Sequence, residues 1–243
     1  MIVLDLLLML FIAYSVGFIY YGLYRNITAR FQRRIGPPVL QSFYDSIKFF
    51  SKTESTSHGW MFYLGPVIMM SGAIMTLFFI PFFTNSTLCS GLSEYGNLFL
   101  ILYLIVLGPL GNALAVGVSG SPFGVMGVTR GLTRLFALEL PFYIALIALM
   151  SLAQSSNIID IANMQAQSFN AVEYPLLFIA ALLSFIGMMG QSPFDVAGAP
   201  VEVYSGPAAE FSGKFIALLM SQNSIFTFAK LVLMVNLFLY YHQ

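Results

Sequence analysis

The sequence predicts an all-α fold: a polytopic transmembrane helix bundle of about six spanning helices, with one amphipathic helix on the cytoplasmic side. Three observations lead there. Only 8% of the residues are charged and 58% are hydrophobic, whereas about a quarter of a soluble domain is charged. Six apolar runs approach the roughly 20 residues that a bilayer crossing needs. Nine of the ten Lys and Arg residues fall in alternate connections between those runs, as the positive-inside rule requires. The chain reads as a single transmembrane domain over residues 1–243, without internal repeats.

The first run, Ile2–Tyr24, has no basic n-region and no small-residue cleavage site, so it reads as a retained helix. The connection after it carries Arg25, Arg30, Arg33, Arg34, Lys48 and Lys52. Within it Gly36-Pro37-Pro38 sets a turn, because proline fixes φ and restricts the residue before it. Val39, Leu40, Phe43, Ile47 and Phe50 then recur near helical spacing, with Gln41, Asp45, Lys48 and Lys52 as polar positions. That pattern is an amphipathic helix on the membrane surface or against a partner.

Met61–Phe83 and Asn97–Val118 are the second and third spans, joined by Thr84–Gly96, which has no Lys or Arg. Arg130 and Arg134 precede the fourth span, Phe136–Leu152. Another connection free of Lys and Arg, Ala153–Glu173, leads to the fifth, Tyr174–Gly190. Both of these spans are short and are expected to extend into their flanks. Lys214 precedes the sixth, Ser224–Tyr241. The basic connections should be cytoplasmic and the amino terminus outside.

Composition excludes several function classes. Zero formal net charge and no basic stripe with interleaved aromatics argue against nucleic acid. The single cysteine, Cys89, cannot form an internal disulfide or a CxxC ligand pair, and an iron–sulfur cluster needs several thiolates. His58 and His242 lie in no metal motif. Ser192, Ser205 and Ser212 lack a His–Asp constellation for nucleophilic catalysis. The chain is therefore expected to hold no metal or cofactor and no catalytic residue.

What remains is charge in unexpected places. The run Ser192–Phe215 holds Asp195, Glu202 and Glu210, three of only ten acidic residues, between two apolar segments. Ionisable groups at membrane depth are costly and are candidates for function. Asp195 also follows a proline break, where an Asx-turn or helix cap is the ordinary role. Lys230 lies inside the sixth span, roughly 9 Å from its nearer end. It either snorkels to the interface or partners an acid on an ion path. Glu54, Glu94 and Glu173 read as solvated, and Asp5 and Asp160 as facing the outer surface.

Three segments together resemble one family. They are ARFQRRIGPPVLQSFYDSIKFFSK (Ala29–Lys52), MGVTRGLTRLFALELPF (Met126–Phe142), and the acidic run with Pro193–Asp195, Glu202 and Glu210–Gly213. In that order they resemble the core membrane-anchor subunit of respiratory complex I and its hydrogenase relatives. The passage straight from Gly36-Pro37-Pro38 to Gln41 and Tyr44-Asp45, without a longer Arg-rich linker, is similar to the energy-converting nickel–iron hydrogenases and membrane-bound sulfane reductases. Gly198 and Pro200 stand where the family often has further carboxylates, so the acids read as separated stations rather than a continuous wire. Members of the family usually continue with further membrane helices after the sixth.

The resemblance implies a non-catalytic subunit of a membrane-bound oxidoreductase complex in the cell membrane. It would dock a peripheral redox arm and couple electron transfer to proton or sodium movement. Docking would fall to Arg30, Arg33, Arg34, Gln41, Asp45 and Lys48. Coupling would fall to Glu139, Asp195, Glu202, Glu210, Arg130 and Lys230. Glu139, about three residues into its apolar run, is the leading carboxylate, and Asp195 the expected partner of Arg130. The nickel–iron centre and iron–sulfur clusters would belong to partners: hydrogenase-like large and small subunits and an iron–sulfur subunit. Antiporter-like membrane subunits and the bilayer complete the partner set. A quinone- or sulfane-reducing complex is the nearest alternative. A stand-alone ion transporter is a more distant one, against which the absence of inverted repeats counts.

Overall fold

Helices form wherever the sequence is apolar enough to span, and they end where glycine, proline or polar residues collect. The computed structural model describes residues 2–54, 59–82, 89–166, 168–198 and 205–240. His58, His242, Pro200 and Glu202 lie outside the described residues. Five helices are long and apolar enough to cross a membrane: α1 (Ile2–Phe31), α3 (Trp60–Phe79), α4 (Leu98–Gly117), α5 (Pro122–Ala153) and α9 (Lys214–Phe238). A shorter apolar helix, α8 (Pro175–Met188), is the sixth. Three more helices, α2 (Gln41–Phe50), α6 (Ile158–Asn163) and α7 (Asn170–Glu173), sit in the connections.

Several spans differ from their sequence limits: the first runs on to Phe31, taking Arg25 and Arg30 into α1, and the sixth begins at Lys214 rather than Ser224. The fourth begins at Pro122, not near Phe136, because Ser121 caps it by accepting the Gly124 N–H and proline suits the first helical turn. Arg130, Arg134 and Glu139 are therefore all inside one continuous helix. It ends at Gln154, whose φ of 53° is left-handed. The fifth span does not extend: α8 has 14 residues, about 21 Å at 1.5 Å per residue. Tyr174, with φ −122° and ψ 67°, separates it from α7.

Helix α2 lies against α1 and α9. Its buried face is Ser42 and Ser46, with Phe43 beside them stacking 5.1 Å from Phe18. Tyr14 and Ser46 share a hydroxyl hydrogen bond of 3.1 Å. The apolar residues Leu40, Ile47 and Phe50 point away from the bundle, as does Tyr44. The amphipathic helix is present, but its apolar face is the outward one, turned towards lipid or a partner. Asp45 binds Arg25 at 3.1 Å and accepts from Gln41 Nε2 at 2.9 Å. Because that ion pair is partly exposed, Asp45→Asn should lower thermal stability by no more than about 1 kcal/mol in chemical or thermal unfolding.

The core lies between α3, α4, α5, α8 and α9, around Ile101, Ile105, Phe142, Leu146, Phe226 and Leu233. Small residues bring the helices together. Gly187 of α8 receives Leu138 of α5, whose Cδ1 would stand 2.6 Å from an added Cβ. Gly17 of α1 lies directly on Ser224 of α9.

The bundle has two chemically distinct ends. At one end the three segments singled out in the sequence converge. Tyr24 Oη accepts the Ser192 N–H at 3.2 Å, Lys214 pairs with Glu54 at 3.2 Å, and Glu210 packs beside Gly124. Glu54 is thus an ion-pair partner rather than simply a solvated acid. At the other end Asp5 is half-buried, and its two carboxylate oxygens accept the N–H groups of Cys89 (2.6 Å) and Gly91 (3.0 Å). Buried amides close that end. Asn236 Nδ2 donates to the Pro81 carbonyl at 2.6 Å, and Gln165 and Asn170 each donate at 2.8 Å to the last carbonyls of α9. Asn236→Leu leaves the Pro81 carbonyl buried without its donor and should cost about 1–3 kcal/mol, read as a lowered unfolding midpoint in detergent.

Candidate functional site

Where α4, α5 and α9 meet α1 and the loop after α8, the packing opens into a cavity of about 400 Å³. Its wall is unusually polar for a bundle core: Tyr21, Asn112, Arg134, Asp195, Gln222 and Lys230 all line it. Helix α4 contributes an irregularity. Pro109 has no N–H to give the Ile105 carbonyl, and both residues line the cavity. Asn112, one turn on, has its Oδ1 buried without a hydrogen-bond partner among the described residues. The cavity is thus a place for polar contents.

Glu139 sits behind this wall on α5, only 4% exposed. Its Oε2 accepts the Tyr143 hydroxyl at 2.7 Å, one helical turn away. The same hydroxyl lies 3.4 Å from the Leu102 carbonyl of α4. Lys230 and Arg134 are the cations whose fields reach Glu139. Lys230 Nζ stands 5.6 Å from the centre of the Phe226 ring, and Lys230 lines the cavity. Two acids, Glu139 and Asp195, and two cations, Arg134 and Lys230, therefore share one region. That balance lets charges persist where a lone one would be prohibitive.

Asp195 adopts the turn role open to it, since its Oδ1 accepts the Gly198 N–H at 3.1 Å. It also lines the cavity. The arginine seen at its loop is Arg134, which donates from Nη1 to the Phe194 carbonyl at 3.2 Å. Arg130, the expected partner of Asp195, lies one turn earlier on the same helix. Glu210 is half-buried beside the start of α5 and is not among the residues that line the cavity. Arg30, Arg33, Arg34 and Lys48 are exposed at the same end of the bundle, next to Ile35, which is 99% exposed. Gln41 and Asp45 are held by each other and by Arg25.

Sequence reasoning missed Tyr143, Tyr21, Asn112 and Gln222. For Tyr21, Asn112 and Tyr143 the signal was a polar side chain inside an apolar span, and for Tyr143 also an i,i+4 step from Glu139; Gln222 falls just before the sixth run read from the sequence.

The chain is similar to several known proteins. The model of the NADH dehydrogenase family matches residues 4–242. Hydrogenase-4 component C of Escherichia coli K12 is 36% identical over 205 residues, covering 81% of this chain and 62% of that protein. Formate hydrogenlyase subunit 4 of the same organism is 28% identical across 100% of this chain and 80% of its own length. An NADH-quinone oxidoreductase subunit of Helicobacter pylori Shi470 is 29% identical, over 78% of this chain and 63% of its own length. The chain thus spans less than two thirds of the length of two of these relatives. A chain in the solved structure of the membrane-bound sulfane sulfur reductase, an archaeal respiratory membrane complex, superposes with a TM-score of 0.90 at 34% identity, covering 98% of this chain and 78% of that one. The chain belongs to the NADH dehydrogenase family.

Proposed function

We propose that this protein is the membrane-anchor and coupling subunit of an energy-converting, hydrogenase-type respiratory complex. One observation carries the reading: Glu139, Lys230, Arg134 and Asp195 gather around a polar cavity reaching from the α8–α9 loop into the bundle. A buried acid close to cations, beside a cavity with room for polar contents, is what a route for ions across the midplane requires. The similarity to hydrogenase-4 component C and formate hydrogenlyase subunit 4 supports the hydrogenase branch.

In this reading the basic end faces the cytoplasm and the amino terminus lies outside. Arg30, Arg33, Arg34 and Lys48, with the α2 segment around Gln41 and Asp45, meet the redox arm. Asp195, Glu202, Glu210 and Arg130 are assigned to coupling beneath that arm. Redox events there change the charge felt at Asp195 and Arg134, and the change passes through the cavity to Lys230 and Glu139. Antiporter-like membrane subunits receive it. The nickel–iron centre and iron–sulfur clusters belong to the hydrogenase-like and iron–sulfur partners. Among the described residues no group of three or more His, Cys, Asp or Glu is arranged to hold a metal, and no redox step is assigned to this chain.

The test is affinity purification of the chain from its native membrane in mild detergent. The expected result is co-purification of soluble subunits, one carrying four nickel-ligating cysteines, together with multi-spanning membrane subunits. A chain that purifies alone and transports ions by itself would overturn the proposal. A second reading, the equivalent subunit of a quinone-reducing complex, is supported by the similarity to the Helicobacter pylori protein. Quinone bound to the purified complex, with no nickel, would favour it.

A further inference from the structure

Among the described residues Glu139 has one hydrogen-bond donor, and that donor has two places to go. Tyr143 carries a single hydroxyl hydrogen, yet its oxygen lies 2.7 Å from Glu139 Oε2 and 3.4 Å from the Leu102 carbonyl of the neighbouring helix. An ionised carboxylate can only accept, so the hydrogen must point at Glu139. A protonated carboxyl brings its own O–H, and when that hydrogen sits on Oε2 it takes the axis the Tyr143 hydrogen held, since two donors cannot share it.

Resting on the proposed function, we infer that Tyr143 is a positioning residue for Glu139: its hydroxyl turns between the carboxylate and the Leu102 carbonyl as Glu139 releases or takes up a proton. When Glu139 gains its proton, the new O–H donates to the Tyr143 oxygen and the Tyr143 hydrogen swings to Leu102. When the proton leaves, the rotation reverses. One proton enters or leaves the carboxyl, and no other bond forms or breaks. In both states the carboxyl keeps one partner and one orientation, although it is 4% exposed and water is excluded from most of it. The rotation also ties the charge state of α5 to a backbone carbonyl of α4, the helix whose Pro109 and Asn112 border the cavity. Without the hydroxyl, the carboxylate would be buried without that donor, and its side chain would be free to leave the orientation that faces Lys230.

The experiment uses the assembled complex carrying Tyr143→Phe, which keeps the ring and removes only the hydroxyl. Ion pumping in vesicles should fall by about ten- to a hundredfold, the scale of a lost buried hydrogen bond to a charged group. Redox turnover in detergent should stay at the wild-type rate. In redox-induced infrared difference spectra, the carboxylic C=O band that disappears in Glu139→Gln should move to higher wavenumber, because its hydrogen-bonded partner is gone. In a Glu139→Gln background the same change should have no further effect on pumping. Wild-type pumping with an unmoved band, or equal losses in both backgrounds, would overturn the inference. A silent Tyr143→Phe beside an uncoupled Glu139→Gln removes this inference alone. Normal pumping by Glu139→Gln removes the coupling role of Glu139 and the inference with it.

Discussion

Glu139→Gln should yield a complex that assembles and transfers electrons in detergent but no longer pumps ions in sealed vesicles. The substitution is close to isosteric. Tyr143 can still donate, now to the amide oxygen, so the local hydrogen bond of 2.7 Å has a successor. What disappears is the negative charge and the site for a proton. Lys230 and Arg134 then share the region with Asp195 as the remaining acid. Lys230 then loses the acid whose charge offsets its own, so the unfolding midpoint should drop. The stability loss and the uncoupling are separable. Adding Lys230→Met removes the stranded cation and should recover most of the lost stability, since replacing both members of a buried pair is often near neutral. It should not recover pumping. Pumping by Glu139→Gln within about twofold of wild type would dismiss the coupling role. Recovered pumping in the double variant would mean that the charges matter only for folding.

Much of this arrangement was legible in the sequence, and the parts that were not share a cause. Hydropathy located the five long spans and the shorter apolar helix α8, because burial in lipid demands apolar runs. Basic-residue counting and segment resemblance each grouped Arg30–Lys52, Arg130–Glu139 and the Asp195 run, and the fold brings those segments to one end and its adjoining cavity. The start of α5 was hidden because Arg130 and Arg134 lower local hydropathy, although Ser121-Pro122 is itself a helix-start signal. That misplacement made Glu139 look like an acid near a helix end, when it lies well within α5. The contact of Arg134 with the Phe194 carbonyl could not be read from spacing, because it depends on how the loop after α8 folds back on α5. The outward apolar face of α2 was also unreadable: periodicity defines a face but not the direction in which it points. Serine at positions 42 and 46 was the clue, since small residues permit the close approach that α2 makes to its neighbours.

The second large effect should come from Gly111→Leu, which ought to prevent the bundle from forming. No apolar solvent contrast drives helices together inside a bilayer, so their association depends on close packing, and small residues supply it. Helices α3 and α4 are the clearest case. A Cβ on Gly111 would stand 2.7 Å from the Gly65 carbonyl oxygen, and one on Gly65 would stand 2.5 Å from the Gly111 carbonyl oxygen. Each glycine thus faces the other's backbone, which cannot rotate aside as a side chain would. One turn earlier, Gly108 meets Phe226 and Gln222 of α9, so a displaced α4 would also lose its seat against the helix that carries Lys230. A leucine at position 111 needs the two helices to separate. Overpacking a well-filled core costs about 1–3 kcal/mol, and more where backbone must move. The expected outcome is loss of the chain from the membrane fraction, or an unfolding midpoint too low to measure in detergent. Gly111→Ala, which meets the same carbonyl with its single methyl group, should be milder but still destabilising. A Gly111→Leu chain that accumulates and unfolds like wild type would show that α3 and α4 are not held by this contact.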